Sequence, residues 1–281
     1  MGVIDVQGLV RTLKRHQRLH RAARKARFAI GHLIPPRRFS EIPGRVHFND
    51  FMFLNSSPEE VASYAARARN VIGLIDETLA EAGRTSDSIE RWLDFGCGYG
   101  RVVRFLVERV PRERVFVSDV LKEGVDFCAS EFGVRPIYSQ AELDHVSPGS
   151  FDFIYAISVI THLNERNSVA FLRLLGDALT DGGIALFTAH GHWSIDNAGL
   201  YGSEYEARRS EIAELVEERG IAYLPYDFVD DDYGMTWHSR EYVEAKMAEL
   251  HGSSLAPLLF RPHALDGHQD VYAFQRLRPS A

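Results

Sequence analysis

Short apolar runs alternate with amphipathic segments from residue 90 to the end of the chain. Apolar runs of four to eight residues between turn signals predict buried strands, and apolar residues three or four positions apart predict helices. We predict strands at RWLDFG, RVFVSDV, VRPIYS, FDFIYAIS and GIALFTAHG, and two closing strands at LAPLLFRP and QDVYAFQRL. Strands that alternate with helices favour an α/β fold built on a largely parallel sheet.

Two segments precede this alternating region. Residues 1–45 form a basic amino-terminal arm, with apolar residues at helical spacing in VQGLVRTL before arginines and histidines dominate. Residues 46–89 are interpreted as a helical extension or lid. Within them SSPEE predicts a helix start, with Ser57 as the N-cap and Glu60 closing a capping box.

The segment between the fifth strand and the next helix is longer than a connection needs. Residues 192–238 include a charged helix, SEYEARRSEIAELVEERG, and an acidic turn, DFVDDDYG. We predict that this insertion lies over the carboxyl edge of the sheet and caps the substrate site, because ligands of open α/β sheets bind at that edge. We interpret residues 90–281 as one domain that includes this insertion.

Charge divides the chain unevenly. Residues 1–45 carry a net charge of +9 and the remainder a net charge of −16, within a total of −7. We interpret the arm as a solvated or partner-packed helix, with contact to anionic lipid and binding of nucleic acid as alternatives. No apolar run approaches the ~20 residues of a membrane span, and two cysteines without a repeated spacing favour a reducing compartment, so we expect a cytoplasmic protein.

The stretch WLDFGCGYGR places three glycines directly after an apolar run. Gly96, Gly98 and Gly100 can adopt positive φ and let a ligand approach the backbone near a helix start. A dinucleotide site needs G-x-G-x-x-G, but Arg101 follows the third glycine one position too early. The Gly-Lys-Ser/Thr ending of a P-loop is also missing.

Four motifs in order resemble the class I S-adenosylmethionine-dependent methyltransferase family. They are the acidic residue and glycines of residues 94–100, Asp119 after the second strand, FDFIYAISVITHL at the fourth strand, and LTDGGIALFT leading into the fifth. The resemblance implies a Rossmann-like, doubly wound sheet of seven strands. It also implies S-adenosyl-L-methionine as cofactor and S-adenosyl-L-homocysteine as product.

Residue roles follow from the resemblance, position by position. Asp94 and the loop would approach the methionine moiety, Asp119 would accept hydrogen bonds from the ribose hydroxyls, and Ser158 would lie near the methyl donor. The adenine amine would meet Ser139, Gln140 or Glu142, in place of the acidic residue that the family often has there. The predicted cofactor-binding residues are Asp94, Gly96, Cys97, Gly98, Gly100, Asp119, Val120, Gln140 and Ser158.

Histidines follow the fourth and fifth predicted strands, where the methyl group would emerge. A hydroxyl acceptor must lose its proton, and a histidine base is suited to neutral pH. We therefore predict His162 and His190 as catalytic residues, with a helix-anchoring role for His162 nearly as well supported. Oxygen ligands like those of metal-dependent relatives are missing after these strands, so we predict no metal.

The motifs SVITHL, LFTAHG and HQDVYAFQR resemble bacterial methyltransferases of glycan and secondary-metabolite assembly. This resemblance implies O-methylation of a sugar or glycan hydroxyl, with a small natural product as the second choice of acceptor. The rival hypothesis is a binding or regulatory protein that holds the cofactor without turnover. Expected partners are a small-molecule or glycan acceptor, the inner membrane face through the arm, and a second copy in a homodimer, but not nucleic acid.

Overall fold

A computed structural model describes residues 30–31, 33–139, 143, 150–226 and 232–278. Gln140, Glu142 and residues 1–29 lie outside the described residues, so the predictions about them keep that status. The chain enters through a hairpin of β1 (Arg37–Phe39) and β2 (Ile42–Val46), followed by α1 (Pro58–Glu81). The remaining elements are β3 (Trp92–Phe95), α2 (Val103–Leu106), β4 (Val115–Asp119), α3 (Lys122–Phe132), β5 (Arg135–Tyr138), β6 (Phe151–Ala156), α4 (Glu165–Asp177), β7 (Leu179–Ala189), α5 (His192–Asp196), α6 (Ser203–Ala207), α7 (Arg209–Arg219), β8 (Ile221–Pro225), β9 (Gly234–His238), α8 (Arg240–His251), β10 (Leu255–Leu265) and β11 (Gln269–Arg276).

The start of α1 confirms one half of the predicted capping box. The Ser57 hydroxyl accepts a hydrogen bond from the Glu60 backbone N–H at 3.2 Å. The reciprocal half is wrong, because the Glu60 carboxylate accepts from the N–H of Leu54 at 3.1 Å while Asn55 caps the N–H of Ser57. Glu60 therefore fixes the chain before the helix rather than the N-cap itself.

Seven strands form one sheet in the order β10-β11-β7-β6-β3-β4-β5. The five strands from β3 to β7 pair in parallel, and β11 pairs antiparallel to both β7 and β10. Two hydrophobic clusters cover the sheet: α1, α2 and α3 contribute to one, and α4 and α8 contribute to the other. The predicted doubly wound α/β sheet of seven strands is confirmed.

The insertion after β7 has a core of its own. Its helices and hairpin enclose a third hydrophobic cluster that includes Ile195, Tyr205, Ile212 and Trp237. The predicted charged helix is divided into α6 and α7 at Arg208, and the antiparallel hairpin β8–β9 was not predicted. Each of these strands is only five residues long, and the side chains that they pack against come from the helices of the insertion, so their signal in the sequence is weak.

Isolated bridges join the insertion to the edge of the main sheet. Leu163 pairs with Tyr233, and His190 pairs with Trp237. These contacts place the hairpin over the carboxyl ends of β6 and β7. Within the described ranges, no helix is both long enough and apolar enough to cross a membrane.

Candidate cofactor and acceptor site

The glycine loop leaves β3 and is tied to β4 by its backbone. The N–H groups of Gly96 and Cys97 donate to the carbonyl of Ser118 at 2.7 and 3.1 Å. Gly96, Gly98 and Gly100 have φ of 87°, 52° and 80°, in the left-handed region that favours glycine. A Cβ on Gly96 would lie 2.5 Å from a methyl carbon of Val159, so the loop can follow this path only with a bare backbone.

Asp119, at the carboxyl end of β4, holds the loop from the other side. Its carboxylate accepts hydrogen bonds from the N–H of Gly98 at 2.7 Å and from the N–H of Leu121 at 2.8 Å. Each carboxylate oxygen can accept a second bond, so the group can still meet a vicinal diol. Helix α3 approaches the loop through Gly124, where a Cβ would lie 2.2 Å from the Gly98 carbonyl oxygen.

Asp94 is buried at the base of the loop, with 4% of its surface exposed. Burial raises its pKa to about 7; the Tyr155 hydroxyl and the charge of Arg101 lower the pKa, and the charge of Asp119 raises it. A carboxyl group in this state is stabilised by a cation that enters the cleft. This property suits the ammonium or sulfonium groups of the expected cofactor.

The other predicted cofactor residues lie around this loop in different settings. Cys97 is a free, buried cysteine, whereas the side chain of Val120 is 65% exposed beside Asp119. Ser139 follows β5 and donates its backbone N–H to the carbonyl of Asp119 at 3.3 Å. Of the three residues predicted to meet the adenine amine, Ser139 is the one that the structure describes.

Ser158 follows β6 with a φ of 58°, a conformation that non-glycine residues seldom adopt. Its N–H donates to the Thr188 hydroxyl at 2.8 Å, and its own hydroxyl donates to Oε1 of Gln269 at 3.0 Å. Thr188 also donates to Oε1 of Gln269, at 2.7 Å. The sequence patterns did not indicate Thr188 or Gln269, because they become partners of Ser158 only when β7 and β11 pair.

His162 lies in the short 3-10 turn after β6 and is partly buried. Its Nδ1 is 3.0 Å from the carbonyl oxygen of Gly234 and 3.0 Å from the hydroxyl oxygen of Tyr226. A carbonyl can only accept, so the tautomer that satisfies this contact carries the proton on Nδ1 and the lone pair on Nε2, and the Tyr226 hydroxyl oxygen then accepts from the same N–H. Burial lowers the pKa of His162, and the Gly234 carbonyl raises it, which leaves the ring neutral at pH 7.

His190, at the end of β7, is enclosed to 2% exposure. Its Nδ1 faces the carbonyl oxygen of Thr236 at 3.1 Å, and its Nε2 faces the Gln269 amide nitrogen at 3.5 Å. Burial holds the pKa of His190 well below the ordinary value. Both ring nitrogens are therefore directed at protein groups, in contrast to His162.

The wall between the insertion and the β10–β11 turn is polar and aromatic. The Tyr201 hydroxyl lies 3.0 Å from both the Ser194 hydroxyl and Nδ1 of His268, and its ring centroid is 4.6 Å from that of His190. Tyr233 stacks on His162 at 5.0 Å. His192 is exposed, and His238 is fully buried in β9.

The first residues of the predicted extension or lid, which precede α1, lie beside the glycine loop. Tyr99 stacks on His47 at a centroid distance of 4.8 Å, and the hydroxyl of Tyr99 donates to Glu123 at 2.6 Å. The amide of Asn49 donates to the same carboxylate at 3.0 Å. These contacts attach the segment before α1 to both the loop and α3, so it forms one wall of the cleft.

The site fits an adenosyl-amino-acid cofactor at both ends. The loop offers a bare backbone and a buried acid, and Asp119 lies at the end of the neighbouring strand. When bound, such a cofactor supplies an activated methyl group. Across the described ranges, His, Cys, Asp and Glu side chains form no group of three or more that could hold a metal ion.

Comparisons with known proteins agree with this geometry. The sequence matches the family model described as a methyltransferase domain over residues 66–256. A comparison with curated proteins finds no match. Among solved structures, the fold is similar to a protein from Pyrococcus horikoshii OT3, with a TM-score of 0.52 and 16% identity over 79% of this chain and 92% of that one.

Two further structures share the fold. One is an S-adenosylmethionine-dependent methyltransferase from Clostridium acetobutylicum, with a TM-score of 0.50 and 14% identity over 76% of this chain and 92% of that one. The other is magnesium protoporphyrin IX methyltransferase from Synechocystis with bound S-adenosyl-L-homocysteine, with a TM-score of 0.50 and 12% identity over 79% of this chain and 89% of that one. The chain belongs to the class I S-adenosylmethionine-dependent methyltransferase family.

Proposed function

We propose that this methyltransferase transfers the methyl group to a hydroxyl of a sugar or glycan, with His162 as the general base. The observation that supports this is the state of the His162 ring, which is neutral, anchored through Nδ1 and without a hydrogen-bond partner at Nε2 among the described residues. It lies after β6, on the sheet edge where Ser158 and the glycine loop also lie. A base in this position can remove the proton that an alcohol must lose.

The protein's part in such a transfer is alignment and proton removal. Methyl transfer is an in-line displacement, so the cleft must orient the acceptor oxygen and exclude water. Because Nδ1–H of His162 is bound to a fixed carbonyl, proton uptake at Nε2 gives an imidazolium that this carbonyl stabilises. His190 lacks this freedom, because Gln269 and Thr236 face its two nitrogens.

The side chains around His162 and His190 support a hydroxyl-rich acceptor. Tyr226 and Tyr233 contact His162, whereas Tyr201 lies beside His190 and bonds to Ser194 and His268. Aromatic side chains with a polar tip can pack against an apolar ring face while bonding to its substituents. A small natural product with a phenolic or aliphatic hydroxyl is the alternative acceptor on the same grounds.

The test is release of S-adenosyl-L-homocysteine with pooled glycans and hydroxylated small molecules as acceptors. We expect His162→Gln to lower the rate by about 10²- to 10⁴-fold while the affinity for S-adenosyl-L-homocysteine stays unchanged. The control is His192→Gln, which replaces an exposed histidine nearby and should keep the full rate. The wild-type rate should hold to below pH 6.5, since burial lowers the pKa of His162, and then fall as the ring is protonated.

Two results would contradict parts of this proposal. Full activity of His162→Gln would remove the proposed base. Tight cofactor binding without turnover on any acceptor would favour the rival hypothesis, a regulatory protein that keeps the cofactor site.

We also infer from the charge of residues 1–45 that the arm brings the enzyme to an anionic membrane surface that carries the acceptor. Sedimentation with anionic and neutral vesicles tests this inference. Replacement of the arm's arginines and lysines by glutamine should abolish binding to the anionic vesicles. Equal sedimentation of both proteins would instead leave a homodimer contact as the role of the arm.

A further inference from the structure

The turn after β6 has an unusual backbone conformation, and hydrogen bonds engage every polar group of its residue Ser158. The N–H of Ser158 donates to the Thr188 hydroxyl at 2.8 Å, its hydroxyl donates to Oε1 of Gln269 at 3.0 Å, and its carbonyl accepts from the Thr161 hydroxyl at 2.8 Å. All three partners are buried. Because a φ of 58° is unfavourable for a non-glycine residue, these partners are what hold Ser158 in this conformation.

The conformation of Ser158 determines where the next side chain lies. Val159 lies against Gly96 of the glycine loop, since a Cβ on Gly96 would be 2.5 Å from a methyl carbon of Val159. The Val159 side chain also packs against the hydrophobic cluster that includes Phe95, at the end of β3. A different φ at Ser158 would turn the chain at Val159 away from the loop. The turn after β6 therefore supports the cofactor loop from the acceptor side of the cleft.

Gln269, the first residue of β11, is bound at both ends of its amide. Only 4% of its surface is exposed, and its Oε1 accepts from the hydroxyls of both Ser158 and Thr188. Its Nε2 faces Nε2 of His190 at 3.5 Å. The neutral His190 tautomer that satisfies the Thr236 carbonyl carries its proton on Nδ1, which leaves a lone pair on Nε2. The amide of Gln269 therefore has one orientation that satisfies both ends, with its oxygen toward the turn.

We propose that Gln269 is a positioning residue for the cofactor. By accepting from the Ser158 and Thr188 hydroxyls, it holds the turn after β6 in the left-handed conformation that places Val159 against the glycine loop. The proposal rests on the cofactor site of the glycine loop and is independent of the acceptor. An apolar side chain in place of Gln269 would leave two buried hydroxyls without an acceptor, so the turn would no longer be held in place.

A double-mutant cycle on cofactor affinity tests the proposal without any acceptor. Calorimetry with S-adenosyl-L-homocysteine compares the effect of Gln269→Met, which keeps a similar volume but removes the amide, in the wild-type background and in the Ser158→Gly background. We expect Gln269→Met to weaken binding by about 10-fold when residue 158 is serine, as for the loss of buried hydrogen bonds. In the Ser158→Gly background the same substitution should weaken binding by less than about 2-fold, because glycine adopts a positive φ without support.

The matched control is Gln275→Met, which changes a glutamine near the other end of β11, where its amide donates to the Gly182 carbonyl. It should leave the affinity unaltered in both backgrounds. Thermal melting establishes that the variants are folded, and Gln269→Asn, whose amide is one methylene shorter, replaces Gln269→Met if that variant does not fold. Equal losses in the two backgrounds would overturn the proposal, as would an unchanged affinity in the wild-type background. Failure of the wild-type protein to bind S-adenosyl-L-homocysteine would instead overturn the cofactor site itself.

Discussion

The two halves of the cleft differ in the titratable groups that they mainly bury. The cofactor half, formed by the ends of β3 and β4 with the glycine loop and the segment before α1, buries mainly acids, together with His47. The acceptor half, formed by the ends of β6 and β7, the insertion and the β10–β11 turn, buries mainly histidines, together with Asp270. Burial raises the pKa of Asp50, Asp94 and Asp119, and it lowers the pKa of His162, His190, His238 and His268.

One physical cause, the loss of solvent around a charge, therefore acts in opposite directions on pH dependence. An acid with a raised pKa costs stability as the pH rises above its unfolded value, because only the unfolded state readily ionises. A histidine with a lowered pKa costs stability as the pH falls below about 6.5, because only the unfolded state readily takes up the proton. The cofactor half is also adapted to a cationic ligand, and the acceptor half to an uncharged base.

The largest effect that we expect comes from a substitution that changes the geometry of the cofactor half alone. Gly124→Ala would place a methyl group 2.2 Å from the Gly98 carbonyl oxygen. The loop must then move away from α3, and the Gly98 bond to Asp119 moves with it. We expect the affinity for S-adenosyl-L-homocysteine, measured by calorimetry, to fall by about 100-fold, the cost of a misplacement of about 1 Å.

Gly73→Ala provides the control for this variant. Gly73 is an exposed residue of α1 whose added Cβ would have no atom within 4 Å. Alanine there should raise the stability by about 0.5 to 1 kcal/mol and leave cofactor affinity unaltered. If Gly124→Ala bound the cofactor as tightly as Gly73→Ala does, the loop geometry described for Gly98 would be wrong.

The residues of the cofactor half could be predicted from the sequence because the features that define this half lie close together along the chain. Three glycines with positive φ within five residues are visible in the sequence, and Asp119 follows directly from the end of an apolar run. The α/β class was likewise predicted from the alternation of short apolar runs with amphipathic segments, whereas the doubly wound sheet of seven strands was implied by the resemblance to the methyltransferase family.

The acceptor half depends on contacts between distant segments. The Nδ1 of His190 meets the carbonyl of a residue 46 positions away, and His162 meets one 72 positions away. Ser158 has a positive φ without being glycine, and its partner Gln269 is 111 positions away. No local pattern encodes such pairs, so the sequence predicted the histidines but not the groups that fix their protons.

A second prediction sharpens the contrast by removing one buried acid. Burial raises the pKa of Asp94 to about 7, so the wild-type protein should lose stability between pH 4 and pH 7 from this group. Asp94→Asn should be more stable than the wild type at pH 8, by about 1 to 3 kcal/mol, and should bind the cofactor more weakly. Chemical denaturation at pH 4 and pH 8 measures the difference.

Asp126→Asn is the control for this comparison, since Asp126 is an exposed acid whose pKa is lowered by Lys122. The stability of Asp126→Asn relative to the wild type should not increase between pH 4 and pH 8. An equal stability difference between the wild type and Asp94→Asn at both pH values would show that Asp94 is not the acid with the raised pKa.

The third prediction, with the smallest expected effect, tests the opposite pH dependence in the acceptor half through His238. This side chain is fully buried, and neither ring nitrogen has a hydrogen-bond partner within the described part of the chain. Desolvation lowers its pKa to about 3, so the wild-type protein should lose about 2 kcal/mol from this group between pH 7.5 and pH 5. His238→Leu has no proton to take up and should lose correspondingly less stability over that interval, as measured by urea denaturation at the two pH values.

His192→Leu, the control, changes an exposed histidine, so its loss of stability over the same pH interval should equal that of the wild type. Parallel losses in the wild type and His238→Leu would mean that the acid sensitivity comes from His162, His190 and His268, and the comparison of the two halves would then depend on those three residues.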